Sequence, residues 1–74
     1  MEYRDHISVN PEIMLGKPVI KGTRITVEII LKKLSEGMTI REMLKAYPHL
    51  TKEDVLAALS YSADVVSKEE LLAS

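Results

Sequence analysis

Gly16-Lys17-Pro18-Val19-Ile20-Lys21-Gly22-Thr23-Arg24-Ile25-Thr26 decides how the rest of the chain is read. It holds two of the three glycines, one of the three prolines and three cations, with no acid among them. Gly16 and Gly22 tolerate positive φ, while Pro18 fixes its own φ and removes a backbone donor. Val19-Ile20 between them is a β-branched pair, and Thr26-Val27 opens a helical pattern. The stretch therefore reads as a turn, a short strand, a second turn presenting Lys21, Thr23 and Arg24, and a helix start.

Working upstream, His6-Ile7-Ser8-Val9 alternates polar and apolar residues, as a half-buried strand does. It is the expected partner of the second strand, giving a two-stranded ribbon over residues 7–9 and 18–20. Asn10-Pro11 signals a turn, with one helical turn over residues 11–14 capped by Asn10. Two strands alone are marginal, so the ribbon must pack on helices or join another chain.

Downstream the pattern is helical throughout. Thr26 caps a first helix whose Val27, Ile30, Leu31 and Leu34 fall on one face, and Gly37 supplies its left-handed stop. Ile29 lies off that face, as an isolated exposed residue or the edge of a dimer contact. Thr39-Ile40-Arg41-Glu42 is a capping box opening a second helix from Ile40 to Ala46, ended by Pro48. Thr51 caps a third helix, with Val55, Leu56, Leu59, Ala63 and Val66 as its expected buried face. Ser67-Lys68-Glu69-Glu70 either opens a short fourth helix or marks a bend, leaving Leu71 and Leu72 as an apolar patch in a polar end.

The expected architecture is mainly α: one domain over residues 1–74, with a ribbon and basic glycine loop (1–25), a trihelical core (26–66) and a short C-terminal helix or tail (67–74). Helices of about 10, 8 and 15 residues joined by short turns resemble a homeodomain-like helix-turn-helix. The third helix, however, opens with Glu53 and Asp54 where a recognition helix would meet phosphate. Lys32, Lys33, Arg41 and Lys45 form a more basic helical surface, or simply a solvated exterior.

Composition narrows the function. Seventy-four residues with no cysteine build a small core and no disulfide, which favours a second copy of the chain as a source of stability. Two histidines and no cysteine argue against a structural zinc site. No apolar run spans a bilayer, and the polar start Met-Glu-Tyr-Arg-Asp-His does not read as a signal peptide, so a cytoplasmic protein is expected. The net charge of −1 conceals +1 over residues 1–26 and −3 over residues 46–74. Any contact with nucleic acid must then come from a local basic patch.

The Lys21-Gly22-Thr23-Arg24 loop is the first candidate for that patch, meeting phosphate through backbone amides, the Thr23 hydroxyl and Arg24. It is not a Walker loop, since no lysine follows Gly22. The alternative is a purely structural turn with Arg24 paired to a carboxylate such as Glu28. His6 and His49 belong to no metal-spaced or nucleophile-activating group, so neither an enzyme nor a cofactor is expected.

Together with Gly37-Met38-Thr39, Tyr47-Pro48 and Leu50-Thr51-Lys52-Glu53-Asp54-Val55-Leu56-Ala57-Ala58-Leu59, the stretch Gly16 to Val27 resembles the small prokaryotic proteins catalogued as domain of unknown function 433. The resemblance covers about residues 6–66. It implies a homeodomain-like helical core behind short strands. In many members it also implies an antitoxin that masks a PIN-like toxin and represses its own operon as a dimer. On that reading Lys17, Lys21, Thr23 and Arg24 contact operator phosphates, assisted by Lys45 and Lys52. Val65, Leu71 and Leu72 are the first candidates for partner contact, although antitoxins often wrap the toxin with a longer C-terminal segment. The alternative is a homo-oligomeric protein-interaction module that does not touch DNA.

Overall fold

In the computed structural model, which describes residues 2–69, a two-stranded antiparallel sheet precedes three α-helices. Strand β1 is Ile7–Ser8 and β2 is Val19–Ile20, with Ile7 opposite Ile20 and Ser8 opposite Val19. Helix α1 spans Val27–Ser35, α2 Ile40–Ala46 and α3 Lys52–Ser67.

The caps expected at the starts of α1, α2 and α3 are all made. The hydroxyl of Thr26 accepts from the Ile29 amide at 3.1 Å. Thr39 and Glu42 close one capping box, and Thr51 and Asp54 close another with an aspartate in the third position. Such caps satisfy amide donors that the first helical turn leaves free. Gly37 ends α1 at φ +99°, a conformation that side chains other than glycine rarely adopt.

The connection between the strands differs from the single helical turn expected over residues 11–14. The Asn10 side chain accepts from the Glu12 amide at 2.9 Å, forming an Asx turn, and a short 3-10 turn follows over Met14–Gly16. Met14 (φ +50°), Leu15 (φ +59°) and Gly16 (φ +83°) are all left-handed. Leu15 also stands 94% exposed.

The core forms where the sheet meets all three helices. Ile20, Val27, Ile30, Met43, Leu50, Val55 and Ala58 are buried together, with Leu31, Leu34, Ile40, Leu44 and Tyr47 packed partly against them. The apolar face expected for α1 is thus the one that points inward, and Ile40, Met43 and Leu44 of α2 meet it in the same core. Ile29 is 40% exposed, off the packed face as its position indicated.

Helix α3 is different, and here the sequence expectation needs correcting. Val55 is buried, but Leu56, Leu59, Ala63 and Val66 are exposed. The buried side runs instead through Val55, Ala57 and Ala58, with Tyr61 half-buried. Alanines let the α3 backbone lie close to α1 and β1, so this face needs no large side chains to fill the gap. The helix therefore carries two apolar faces, and the bulkier one faces outward.

Polar contacts fix the N-terminus against α3. Tyr3 donates its hydroxyl to Asp64 at 2.6 Å and meets the Tyr61 ring edge-on at 5.5 Å. Helix α3 runs through Ser67, whose hydroxyl donates back to the Asp64 carbonyl rather than capping a new helix. The remainder of the expected fourth helix, with Leu71 and Leu72, lies outside the described residues.

Candidate nucleic-acid interface

The glycine loop after β2 is a closed turn. The Ile20 amide donates to the Ile25 carbonyl at 2.9 Å, and the Thr23 amide donates to the Ile20 carbonyl at 3.0 Å. The Thr23 hydroxyl donates to that same carbonyl at 2.8 Å and accepts from the Ile25 amide at 3.0 Å. A hydroxyl has a single proton to give, so Thr23 acts as the staple of the turn. Gly22 supplies the left-handed corner at φ +81° with open space where a Cβ would stand.

This staple leaves Lys21 and Arg24 exposed on either side of Gly22 and Thr23. With Ser8, Ile13, Val19, Ile25 and His49 they line an open cleft of about 890 Å³. Its floor is apolar and its rim is cationic. Lys17 is held elsewhere: its ammonium donates to Glu28 at 2.8 Å. That hydrogen bond and the ammonium charge hold the Glu28 carboxyl below its ordinary range. Glu28 is thus the partner of Lys17 and not of Arg24.

A second cleft, of about 650 Å³, lies where α2 meets the start of α3 and is lined by Ile40, Arg41, Leu44, Lys45 and Lys52. Lys45 and Lys52, seven positions apart in sequence, are brought together by the turn at Pro48. Arg41 joins them from one helical turn before Lys45, a spacing visible in the sequence but not assigned there to the contact set. The turn between α2 and α3 contributes His49 to the first cleft, while Lys45 and Lys52, on either side of that turn, line the second. Among the described residues, Lys21, Arg24, Arg41, Lys45 and Lys52 form no ion pair within 4.0 Å.

The acids that open α3 are occupied differently. Asp54 accepts from the Thr51 amide at 3.0 Å, and its other oxygen lies 2.9 Å from Nδ1 of His6. Burial alone would raise the Asp54 carboxyl, but hydrogen bonds from His6 and Thr51 outweigh it and hold it below its ordinary value. An ionised carboxylate only accepts, so the His6–Asp54 hydrogen bond places a proton on Nδ1. Glu53 stays exposed on the first turn of α3.

Val65 is 40% exposed and, with Pro18, Leu31, Tyr61 and Val66, lines a groove of about 380 Å³ between α1 and α3. Among the described residues no group of three or more His, Asp or Glu side chains could hold a metal ion. No helix among them is long and apolar enough to cross a membrane.

The fold recurs in a protein of known structure, and the sequence matches a known family. The sequence profile of the family described as "Protein of unknown function (DUF433)" matches residues 7–62. The chain belongs to the DUF433 family. A DUF433 member protein from Anabaena variabilis, known from its crystal structure, superposes with a TM-score of 0.81 at 29% identity. That match covers 96% of this chain and 71% of the other. The protein y4eO of Sinorhizobium fredii (strain NGR234) is 32% identical over 59 residues, which are 80% of this chain. This DUF433 chain spans only about a quarter (27%) of that relative's length.

Proposed function

We propose that this DUF433 protein is a small non-enzymatic regulator that holds the phosphate backbone of nucleic acid at its α2–α3 corner. The resemblance noted above extends the proposal to an antitoxin of a PIN-like toxin that represses its own operon. The observation that carries the nucleic-acid reading is the gathering of Arg41, Lys45 and Lys52 on one cleft and of Lys21 and Arg24 on another, with no carboxylate partner among the described residues. Unneutralised cations gathered in clefts of a protein with net charge −1 are the local patches that phosphate binding requires.

The same geometry argues against α3 as a base-reading helix. Its outer face carries Leu56, Leu59 and Val66, and in its first turn Lys52 belongs to the basic cleft while Glu53 stands exposed. The apolar and acidic positions offer no donors to base edges. Contact is therefore assigned to phosphates, with sequence preference arising from DNA shape or from a second copy in register.

Titration of the protein's own upstream duplex and an unrelated duplex, at salt from about 50 to 200 mM, tests this reading. Five cations engaging phosphates predict a log–log salt slope near −4.5, from about −0.9 per phosphate. No binding at the lowest salt overturns the proposal. It would leave the protein-interaction module as the reading, which the exposed apolar face of α3 favours independently.

A further inference from the structure

We propose that His6 is a positioning residue of the phosphate-binding surface: it ties the cationic turn after β2 to the start of α3, so that the two basic clefts are held at one separation. The inference rests on the phosphate-binding reading and adds to it a residue that is not one of its cations.

Three hydrogen bonds make the connection. The Lys21 amide donates to the His6 carbonyl at 2.7 Å, one position beyond the paired strands and at the start of the turn. Nδ1 of the same histidine donates to Oδ1 of Asp54 at 2.9 Å. Oδ2 of Asp54 accepts from the Thr51 amide at 3.0 Å, which fixes the first turn of α3. Lys21 lines the first cleft, and Lys52, next to Thr51, lines the second. The backbone of His6 thus engages the turn that carries Lys21 and Arg24, while its imidazole engages the helix that carries Lys52.

The turn needs such a tie. Each strand is two residues long, and a two-stranded sheet is marginal by itself. Ile20 is sunk in the core, but Lys21 and Arg24 lie beyond it, in a turn closed by hydrogen bonds among Ile20, Thr23 and Ile25. Those bonds set the shape of the turn and leave its placement against α3 to its neighbours. Among the described residues, the Lys17–Glu28 pair leads to α1 instead, and the Tyr3–Asp64 bond leads to the opposite end of α3. The His6 and Asp54 side chains are only 30% and 14% exposed, so water competes less for their bond than for the exposed Lys17–Glu28 pair.

A polyanion that meets both clefts gains most from the second when that cleft is already in place. With the tie made, the ordering precedes binding. Without it, binding itself must supply the ordering, and affinity falls by up to the worth of the lost bond.

Amide hydrogen exchange on the free protein reads the tie without nucleic acid. Exchange at Lys21 is expected to quicken about fivefold in His6→Ala, the equilibrium equivalent of one hydrogen bond. His6→Asn keeps an N–H donor close to the position of Nδ1 and should return the rate towards wild type. Tyr3→Phe, which removes the bond at the other end of α3, should leave it unchanged. An unchanged Lys21 rate in His6→Ala overturns the proposal whatever the protein binds.

Titration of the upstream duplex reads the consequence. His6→Ala is expected to weaken association about fivefold with the log–log salt slope unchanged, because no phosphate-contacting cation is lost, and His6→Asn to restore it. Wild-type affinity in His6→Ala overturns the proposal. So does a slope flattened by about 0.9, which would make His6 itself a phosphate contact. An equal loss in Tyr3→Phe overturns it too, tracing the effect to overall stability. A wild type that binds no duplex defeats the phosphate-binding reading and the use made of the tie, while the exchange rates decide separately whether the tie exists.

Discussion

Nδ1 of His6 lies 2.9 Å from Oδ1 of Asp54, joining the entry of β1 to the first turn of α3 across forty-eight positions of sequence. The other carboxylate oxygen of Asp54 caps the same helix through the Thr51 amide. One side chain thereby starts α3 and anchors the N-terminal ribbon to it.

Removing that carboxylate is expected to cost more than an ordinary cap. Asp54→Ala loses the reciprocal capping bond, about 1 kcal/mol, and the His6 hydrogen bond, about another 1 kcal/mol. Chemical denaturation should show destabilisation of about 2 kcal/mol for Asp54→Ala, and about half of that for His6→Ala. Equal values for the two variants would mean that the cap contributes nothing.

The pH dependence follows from the same residue. Folding holds the Asp54 carboxyl below its ordinary value, so its contribution is complete above the unfolded pKa of about 3.9. That contribution is lost as pH falls through the lower folded value. Thermal midpoints should therefore be level from neutral pH down to about 4 as far as Asp54 is concerned, then drop, and the drop should be shallower in Asp54→Asn. An acid limb of equal steepness in the two proteins would contradict this account.

Neighbours on α3 should behave oppositely. Val55→Ala removes a fully buried side chain and is expected to cost about 2 kcal/mol at any protein concentration. Leu56→Ala removes one on the outward face and should cost under about 0.5 kcal/mol. Chemical denaturation of the two variants distinguishes these outcomes. A loss of about 2 kcal/mol for Leu56→Ala would place it back in the core.

That pair of residues also marks how far the fold could be read from sequence. Caps, helix limits and the strand pair follow from local chemistry: hydroxyls three residues before acids, glycine at a helix end, β-branched pairs between turns. The inward side of α3 does not follow, because Val55, Ala57 and Ala58 pair small residues with a helix crossing that only the folded chain specifies. Hydrophobicity alone assigned Leu56, Leu59 and Val66 to the interior. The site was legible in part. Lys21 and Arg24 could be picked out from their glycine-bearing loop, whereas the hydrogen-bond roles of Thr23 and Lys17 depend on atoms that become neighbours only on folding.

Leu15 offers a prediction of the opposite sign. It sits at φ +59° with almost no packing, so its left-handed backbone carries a steric cost of about 1 kcal/mol that glycine would not. Leu15→Gly should raise stability by up to about 1 kcal/mol in chemical denaturation, less the added flexibility of the unfolded chain. A loss of stability would show that the leucine side chain is held by contacts formed in solution.

Charge removal should be graded by position. Lys45→Ala with Lys52→Ala is expected to flatten the log–log salt slope of nucleic-acid binding by about 2, and Lys17→Ala to leave it unchanged. Lys17 differs because its ammonium is already neutralised by Glu28 at 2.8 Å. Equal losses from all three positions would indicate diffuse attraction rather than a defined corner.

The hydroxyl of Thr23 bridges Ile20 and Ile25 within the turn, so the main chain there is already in its final shape before anything arrives. An anion reaching Lys21 and Arg24 then immobilises two side chains, at about 0.5–1.5 kcal/mol each, without ordering a loop. Association at this corner should be fast and tuned by side-chain charge, and Thr23→Val would turn a rigid receptor into one that must organise itself around each ligand.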